Sequence, residues 1–279
     1  MSTVFARLQK LAPQHGLSRV AGKLASSETA WLKRVLIEQF SRAYDVNLSE
    51  AERKNLDDYR TFNDFFTRAL EPGARPIDTS PGAVVCPADG AVSQLGRIDG
   101  DHLIQAKGHT YTLTSLAANL GAGLDGGTFC TIYLAPKDYH RIHLPCDATL
   151  TDTLAIPGEL FSVNGATEQA IAGLFARNER LVCRFATEFG PMLVVLVGAM
   201  IVASIETDWN GPASPYHVEE RSEHHLVYER GDEIGRFLLG STVICCFPEG
   251  AVALNDAWSP GNSVRMGQPM GQIEQRLNV

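Results

Sequence analysis

Between Phe5 and Phe40, apolar side chains recur three and four positions apart: Phe5, Leu8 and Leu11, then Leu17, Val20, Ala21 and Leu24, then Leu32, Val35, Leu36 and Phe40. Such spacing puts them on one face of a helix, and Pro13 and the 22–27 region divide the run into three short amphipathic helices. Ser49-Glu50-Ala51-Glu52 has the capping-box pattern and predicts a further helix. Thr61 with Asp64 predicts the start of another, carrying Phe62, Phe65 and Phe66. The segment Glu71-Pro72-Gly73-Ala74-Arg75-Pro76 then stops helix formation. Beyond it the pattern changes to short apolar stretches between Gly, Pro, Asn and Asp. Ala91–Leu95, Phe129–Leu134, Met192–Val197 and Val243–Phe247 are examples, and they read as strands. The expected fold class is α+β, with N-terminal amphipathic helices over residues 1–70 and a mostly antiparallel β domain over 71–279.

Composition narrows the class. With 279 residues, 44% hydrophobic and 20% charged, the chain is long enough for a sizeable core and too apolar for a disordered segment. The longest apolar run, Met192–Ala203, is twelve residues, short of the ~20 needed to span a bilayer as a helix. The start has no unbroken apolar region and no small-residue cleavage site, so a cytosolic protein is expected. Six cysteines lie singly or adjacent, in no CxxC pair and mostly in apolar runs, which predicts buried thiols and neither a disulfide framework nor a zinc site.

The formal charge of −8 is unevenly spread. Residues 1–43 hold seven basic and two acidic groups, a net +5 that leaves −13 for the remainder. An acidic body argues against nucleic-acid binding, whereas the basic end suits contact with an anionic surface. Amphipathic helices serve equally for docking on a core and for lying on a membrane; the charge asymmetry favours the membrane.

Three stretches set reactive side chains among residues that bend or expose the backbone: Pro87-Ala88-Asp89-Gly90, Asp138-Tyr139-His140-Arg141-Ile142-His143, and Leu239-Gly240-Ser241-Thr242. An Asp, a His and a Ser drawn from them could form a proton relay. The spacing of His140 and His143 suits a helical metal pair, but no third ligand cluster accompanies it, so no metal is expected. Gly240-Ser241 lacks the second glycine of a GxSxG elbow, which weakens a hydrolase reading. The dipeptide permits another reaction. A serine hydroxyl can attack the carbonyl preceding it, and glycine presents no Cβ to obstruct the approach. Elimination from the resulting ester leaves dehydroalanine, and loss of ammonia then yields an N-terminal pyruvoyl group.

Over roughly residues 58–250 the chain resembles the phosphatidylserine decarboxylase family. The resemblance is carried by Tyr59-Arg60-Thr61-Phe62-Asn63-Asp64-Phe65-Phe66-Thr67-Arg68, Gly73-Ala74-Arg75-Pro76, Pro87-Ala88-Asp89-Gly90, Pro136-Lys137-Asp138-Tyr139-His140-Arg141-Ile142-His143, Pro157-Gly158-Glu159-Leu160 and Leu239-Gly240-Ser241-Thr242. It implies a self-cleavage triad of Asp89, His143 and Ser241, with His143 as base and Asp89 as its orienter. Cleavage between Gly240 and Ser241 would give a large chain 1–240 and a small chain 241–279 that stay associated. The implied cofactor is a covalent pyruvoyl group made from Ser241, with neither metal nor pyridoxal phosphate. It would form a Schiff base with the amine of phosphatidylserine and release CO2 to give phosphatidylethanolamine, with His140 as the favoured proton donor and His143 able to serve both stages. The implied partners are phosphatidylserine in the bilayer and an anionic membrane surface, with the protein peripheral on the cytoplasmic side of the cell membrane; a homodimer is compatible with the pattern. Ala203, where the family commonly has glycine, and Glu229-Arg230-Gly231, where Lys-Gly is frequent, depart from that pattern away from the triad. Two rival readings carry their own signatures. A serine hydrolase using the same Asp, His and Ser would remain uncut and acylate at Ser241, and a non-catalytic membrane module would bind lipid unaffected by Ser241→Ala.

Overall fold

The computed structural model describes residues 14–199, 204–213, 216–238 and 241–274. The first expected helix, over Phe5 to Leu11, and the Leu239-Gly240 half of the expected junction lie outside the described residues.

The second and third expected helices form as Gln14–Ala25 and Ala30–Tyr44. The latter ends where Asp45 takes a left-handed conformation, φ 52°, and donates its N–H to the Ser41 carbonyl, satisfying one of the orphan carbonyls of the last turn. Phe62–Phe66 is helical, and its N-cap Thr61 accepts the Asp64 N–H at 3.0 Å. Ala25, Ile37, Tyr59, Phe62, Phe65 and Phe66 bury one another in a small core of their own. The Ser49–Glu52 capping box opens no helix. Instead Glu52 donates its N–H to the Ala69 carbonyl, Glu71 donates to the Glu50 carbonyl, and Ala51 bridges antiparallel to Leu70. Arg53, Lys54 and Asn55 follow, so no apolar stripe exists for a helix to bury, and Asn55 caps only a single 3-10 turn, Leu56–Asp58.

The β-rich body is built on an eight-stranded sheet, antiparallel throughout. Its spatial order is Glu220–Tyr228, Ala148–Ile156, Arg180–Thr187, Gly190–Val197, Ser241–Phe247, Thr128–Leu134, Gly90–Arg97 and Ser263–Val264. The four expected strands all lie in it. Ser241–Phe247 is buried at every position, with Val243, Cys245 and Phe247 in the core on one face and Ile244 and Cys246 in the core on the other. Burial on both faces accounts for its unbroken apolar run. A four-stranded sheet ordered Gly211–Ala213, Ile205–Thr207, Glu233–Phe237 and Arg141–His143 packs beside it, and its last strand carries the end of the histidine segment. All six cysteines are buried free thiols. Among the described residues no helix is long and apolar enough to cross a membrane.

Candidate active site

Ser241 is the first residue of the central strand, in register with Leu134, and Thr242 is in register with Tyr133 on one side and Val197 on the other. Its side chain is fully buried, and Oγ has no hydrogen-bond partner. A buried hydroxyl left unpaired costs about 1–3 kcal/mol, and Ser241 shares this condition with Thr242 and Thr131 of the same sheet.

The neighbouring strand, Thr128–Leu134, runs straight into the histidine segment. At its end the Asp138 carboxylate accepts the Ala135 N–H at 2.7 Å, closing a turn that delivers Tyr139 and His140 to the same end of the sheet as Ser241. The His140 carbonyl accepts the Phe237 N–H at 3.0 Å, four residues before Ser241. The His140 ring packs on Phe66, with centroids 4.0 Å apart, and its Nδ1 faces the Asp138 carbonyl at 2.8 Å. A carbonyl only accepts, so Nδ1 carries the proton and Nε2 a lone pair. Nε2 has no partner, and burial pulls the imidazole pKa down to about 3, so the ring is neutral at physiological pH.

His143 is held differently. Its backbone N–H donates to the Pro87 carbonyl at 2.9 Å, and Nδ1 donates to the Gly231 carbonyl at 2.7 Å. Nε2 therefore accepts the Tyr139 hydroxyl at 3.0 Å. Burial lowers its pKa as well.

Asp89 reaches this end because the next residue, Gly90, passes close to the neighbouring strand. A Cβ there would sit 2.3 Å from the Tyr133 carbonyl oxygen, so only glycine fits. The Asp89 carboxylate is taken by the Arg75 guanidinium through three contacts of 2.5–2.9 Å and by the Met266 N–H at 2.9 Å. Arg75 also reaches Glu50 at 3.0 Å. The carboxylates beside it raise the Arg75 pKa further above its already high ordinary value, against the opposing pull of burial. The fold thus gathers Asp89, His140, His143 and Ser241 at one end of the sheet, but joins no two of them by a hydrogen bond. The orienter of His143 here is the Gly231 carbonyl rather than Asp89.

Two partners were not singled out as site residues from sequence, Arg75 and Tyr139. Both lie inside the quoted motifs, but nothing in their spacing says which side chain each would hold. Sequence also gave no sign of an apolar cavity of about 660 Å³ between the N-terminal helices and the body, lined by Leu24, Leu36, Phe40, Phe62, Phe66 and Tyr133 among others. Phe66 forms part of its wall and packs on His140. Among the described residues no group of His, Cys, Asp and Glu could hold a metal ion.

A family model described as Phosphatidylserine decarboxylase matches residues 62–272, a span holding all four candidate side chains, and a second, described as PSD, matches residues 4–45. Proteins described as phosphatidylserine decarboxylase proenzyme are similar along almost the whole chain. The one from Pseudomonas entomophila is 50% identical over 96% of both chains, that from Polaromonas naphthalenivorans 48% over 95% of both, and that from Saccharophagus degradans 47% over 97% of this chain and 98% of its own. With the likeness running unbroken through the helices, the histidine segment and the central strand, the chain belongs to the phosphatidylserine decarboxylase family.

Proposed function

We propose that this protein cuts itself between Gly240 and Ser241, acquires a pyruvoyl group at residue 241, and removes the carboxyl group of phosphatidylserine to give phosphatidylethanolamine. The observation that carries the reading is Ser241 Oγ, a buried hydroxyl without a partner at the head of the central strand. In the cut, Oγ bonds to the Gly240 carbonyl carbon, the C–N bond breaks, and the hydroxyl proton passes through a base to the freed amine. Loss of the Ser241 Cα proton then expels the Gly240 carboxylate by breaking the Cβ–O bond; water enters and ammonia leaves. The group so formed supplies an electron sink for the carbon that loses CO2.

His143 is the base in this reading. Its Nδ1 is locked on Gly231, which leaves Nε2 as the accepting nitrogen, and the Tyr139 hydroxyl must give way to Ser241 or pass its proton along. Asp89, ion-paired with Arg75, supplies an anchored strand end rather than a direct hydrogen bond. His140 serves decarboxylation. Its Nε2 faces no protein partner, and an anionic substrate beside it favours the charged ring that can return a proton to the substrate carbon. One observation favours a second assignment for the cut alone. His140 Nε2 is free whereas His143 Nε2 is occupied, which would make His140 the base.

Residues 1–70 are read as the membrane-surface segment and 71–279 as the catalytic domain. Val20, Trp31 and Val35 are 59%, 70% and 49% exposed on the helices that also carry Lys23, Lys33, Arg34 and Arg42. Apolar side chains facing water beside cations suit a peripheral position on an anionic cytoplasmic leaflet, and the cavity beneath offers acyl chains a place out of water. An intact-mass spectrum of the denatured protein tests the cut. Chains of residues 1–240 and 241–279, the smaller lighter by one ammonia than a serine terminus would make it, are expected; a single full-length mass from protein that releases CO2 would sink the proposal.

A further inference from the structure

Arg68 is 3% exposed, and only Nη2 of its guanidinium is engaged, with the Lys137 carbonyl at 2.8 Å and the Asp138 carbonyl at 3.3 Å. Nε and Nη1 are buried and have no hydrogen-bond partner among the described residues, and the guanidinium carbon lies 5.7 Å from the centroid of the Phe65 ring. Its neighbours offer no counter-ion: among the described residues no carboxylate lies within 4.0 Å of it, since Asp89 is held by Arg75 and Asp138 caps the Ala135 N–H. A buried cation without a counter-ion costs several kcal/mol even after relaxation, a cost that a bound anion would offset. Asp138 supplies one carbonyl to both Arg68 Nη2 and His140 Nδ1, so the guanidinium and the imidazole are neighbours, each with buried nitrogen left without a partner among the described residues. The same Nη2 also holds the carbonyl of Lys137, the residue after Pro136, which lines the apolar cavity with Phe66.

We infer that Arg68 is the receptor for the phosphodiester of a diacylglycerophospholipid. The inference rests on the lipid reading above and names the part of the lipid this side chain takes. The apolar cavity adjoins His140 through Phe66, and Arg68 adjoins it through the shared Asp138 carbonyl, so acyl chains, phosphodiester and amino-acid head can be held around one imidazole. The alternative anion is the carboxylate that departs. A cation clamped on that carboxylate would stabilise the ground state and lose its grip as CO2 forms, which opposes the reaction. The phosphodiester keeps its charge from substrate to product, so a planar guanidinium can hold it throughout and fix the amine-bearing carbon, three bonds away, against His140.

Binding rather than turnover tests this. Dihexanoylphosphatidylethanolamine carries the phosphodiester without the carboxylate, and dihexanoylglycerol carries neither, so titration calorimetry on the purified full-length protein isolates the contact. Arg68→Met should weaken the phospholipid roughly ten- to hundredfold while changing the diacylglycerol by less than about twofold. Arg68→Lys, which keeps the charge and loses the fork, should weaken the phospholipid by less, and it stands in if the methionine variant melts before it can be titrated. Equal losses for both lipids would make Arg68 a wall of the cavity and overturn the inference. A loss confined to dihexanoylphosphatidylserine would assign it to the carboxylate, and a lower melting temperature of the cut protein with lipid selectivity intact would assign it to the new Gly240 terminus; either result overturns the phosphodiester assignment. If phosphodiester selectivity depends on Arg68 but the protein releases no CO2, the decarboxylase reading fails and this assignment stands.

Discussion

Asp89 and His140 are both polar side chains buried at one end of the same sheet, yet their surroundings are opposite. The carboxylate is saturated: Arg75 grips both oxygens, Met266 adds a backbone donor, and Glu50 steadies the arginine from behind. His140 Nε2, Ser241 Oγ at the same end of the sheet and two nitrogens of Arg68 are buried and have no hydrogen-bond partner among the described residues. A saturated network fixes geometry and tolerates no loss of a member, whereas unpaired groups hold interactions in reserve for something that arrives later. The difference separates a carboxylate locked in place from groups left open to a ligand; His143, with both ring nitrogens engaged, sits with the former.

Ser241→Ala removes the central member of the unpaired group and should have the largest effect: a single full-length mass and no CO2 release. The two histidines divide next. His143→Ala should slow the cut by about a hundred- to ten-thousandfold, read as precursor remaining over time, while His140→Ala should mature normally and lose decarboxylation by a similar factor. The opposite pattern would transfer the base to His140. On the saturated side Arg75→Met leaves a buried carboxylate uncompensated and should cost about 3–5 kcal/mol in chemical denaturation, whereas the double variant Arg75→Met with Asp89→Leu should recover part of it. The smallest effect is on stability against pH. His140 has a folded pKa of about 3 against an ordinary 6.5, so the unfolded chain binds its proton first. Its contribution is complete above pH 6.5 and is lost progressively as pH falls toward 3; His140→Gln should flatten that part of the denaturation profile.

How much of this was readable beforehand depended on whether the cause was local. Met192–Val197 and Val243–Phe247 were legible as strands because a strand covered on both faces must be apolar at every position. Ser49–Glu52 misled because a capping box states only how a helix would start, and the backbone there pairs with residues 69–71 instead. His140, His143 and Ser241 were legible as chemistry. That Asp89 would answer to Arg75, fourteen positions away, was not, since no periodicity links two loops brought together by the body. Nor was the neutrality of His140, which comes from burial under Phe66 and not from any neighbour in sequence.

The position of Ser241–Phe247 between Gly190–Val197 and Thr128–Leu134 has a consequence for the molecularity of folding. While the chain is continuous, that strand finds its slot as part of a unimolecular reaction, at a rate independent of protein concentration. After a cut at its first residue the same strand belongs to a separate 39-residue fragment, and refolding from denaturant becomes a second-order encounter that slows on dilution. Under the proposed cut, the uncut chain would be the species that folds efficiently, and the mature protein would persist only if the fragment, hydrogen-bonded on both edges, leaves slowly.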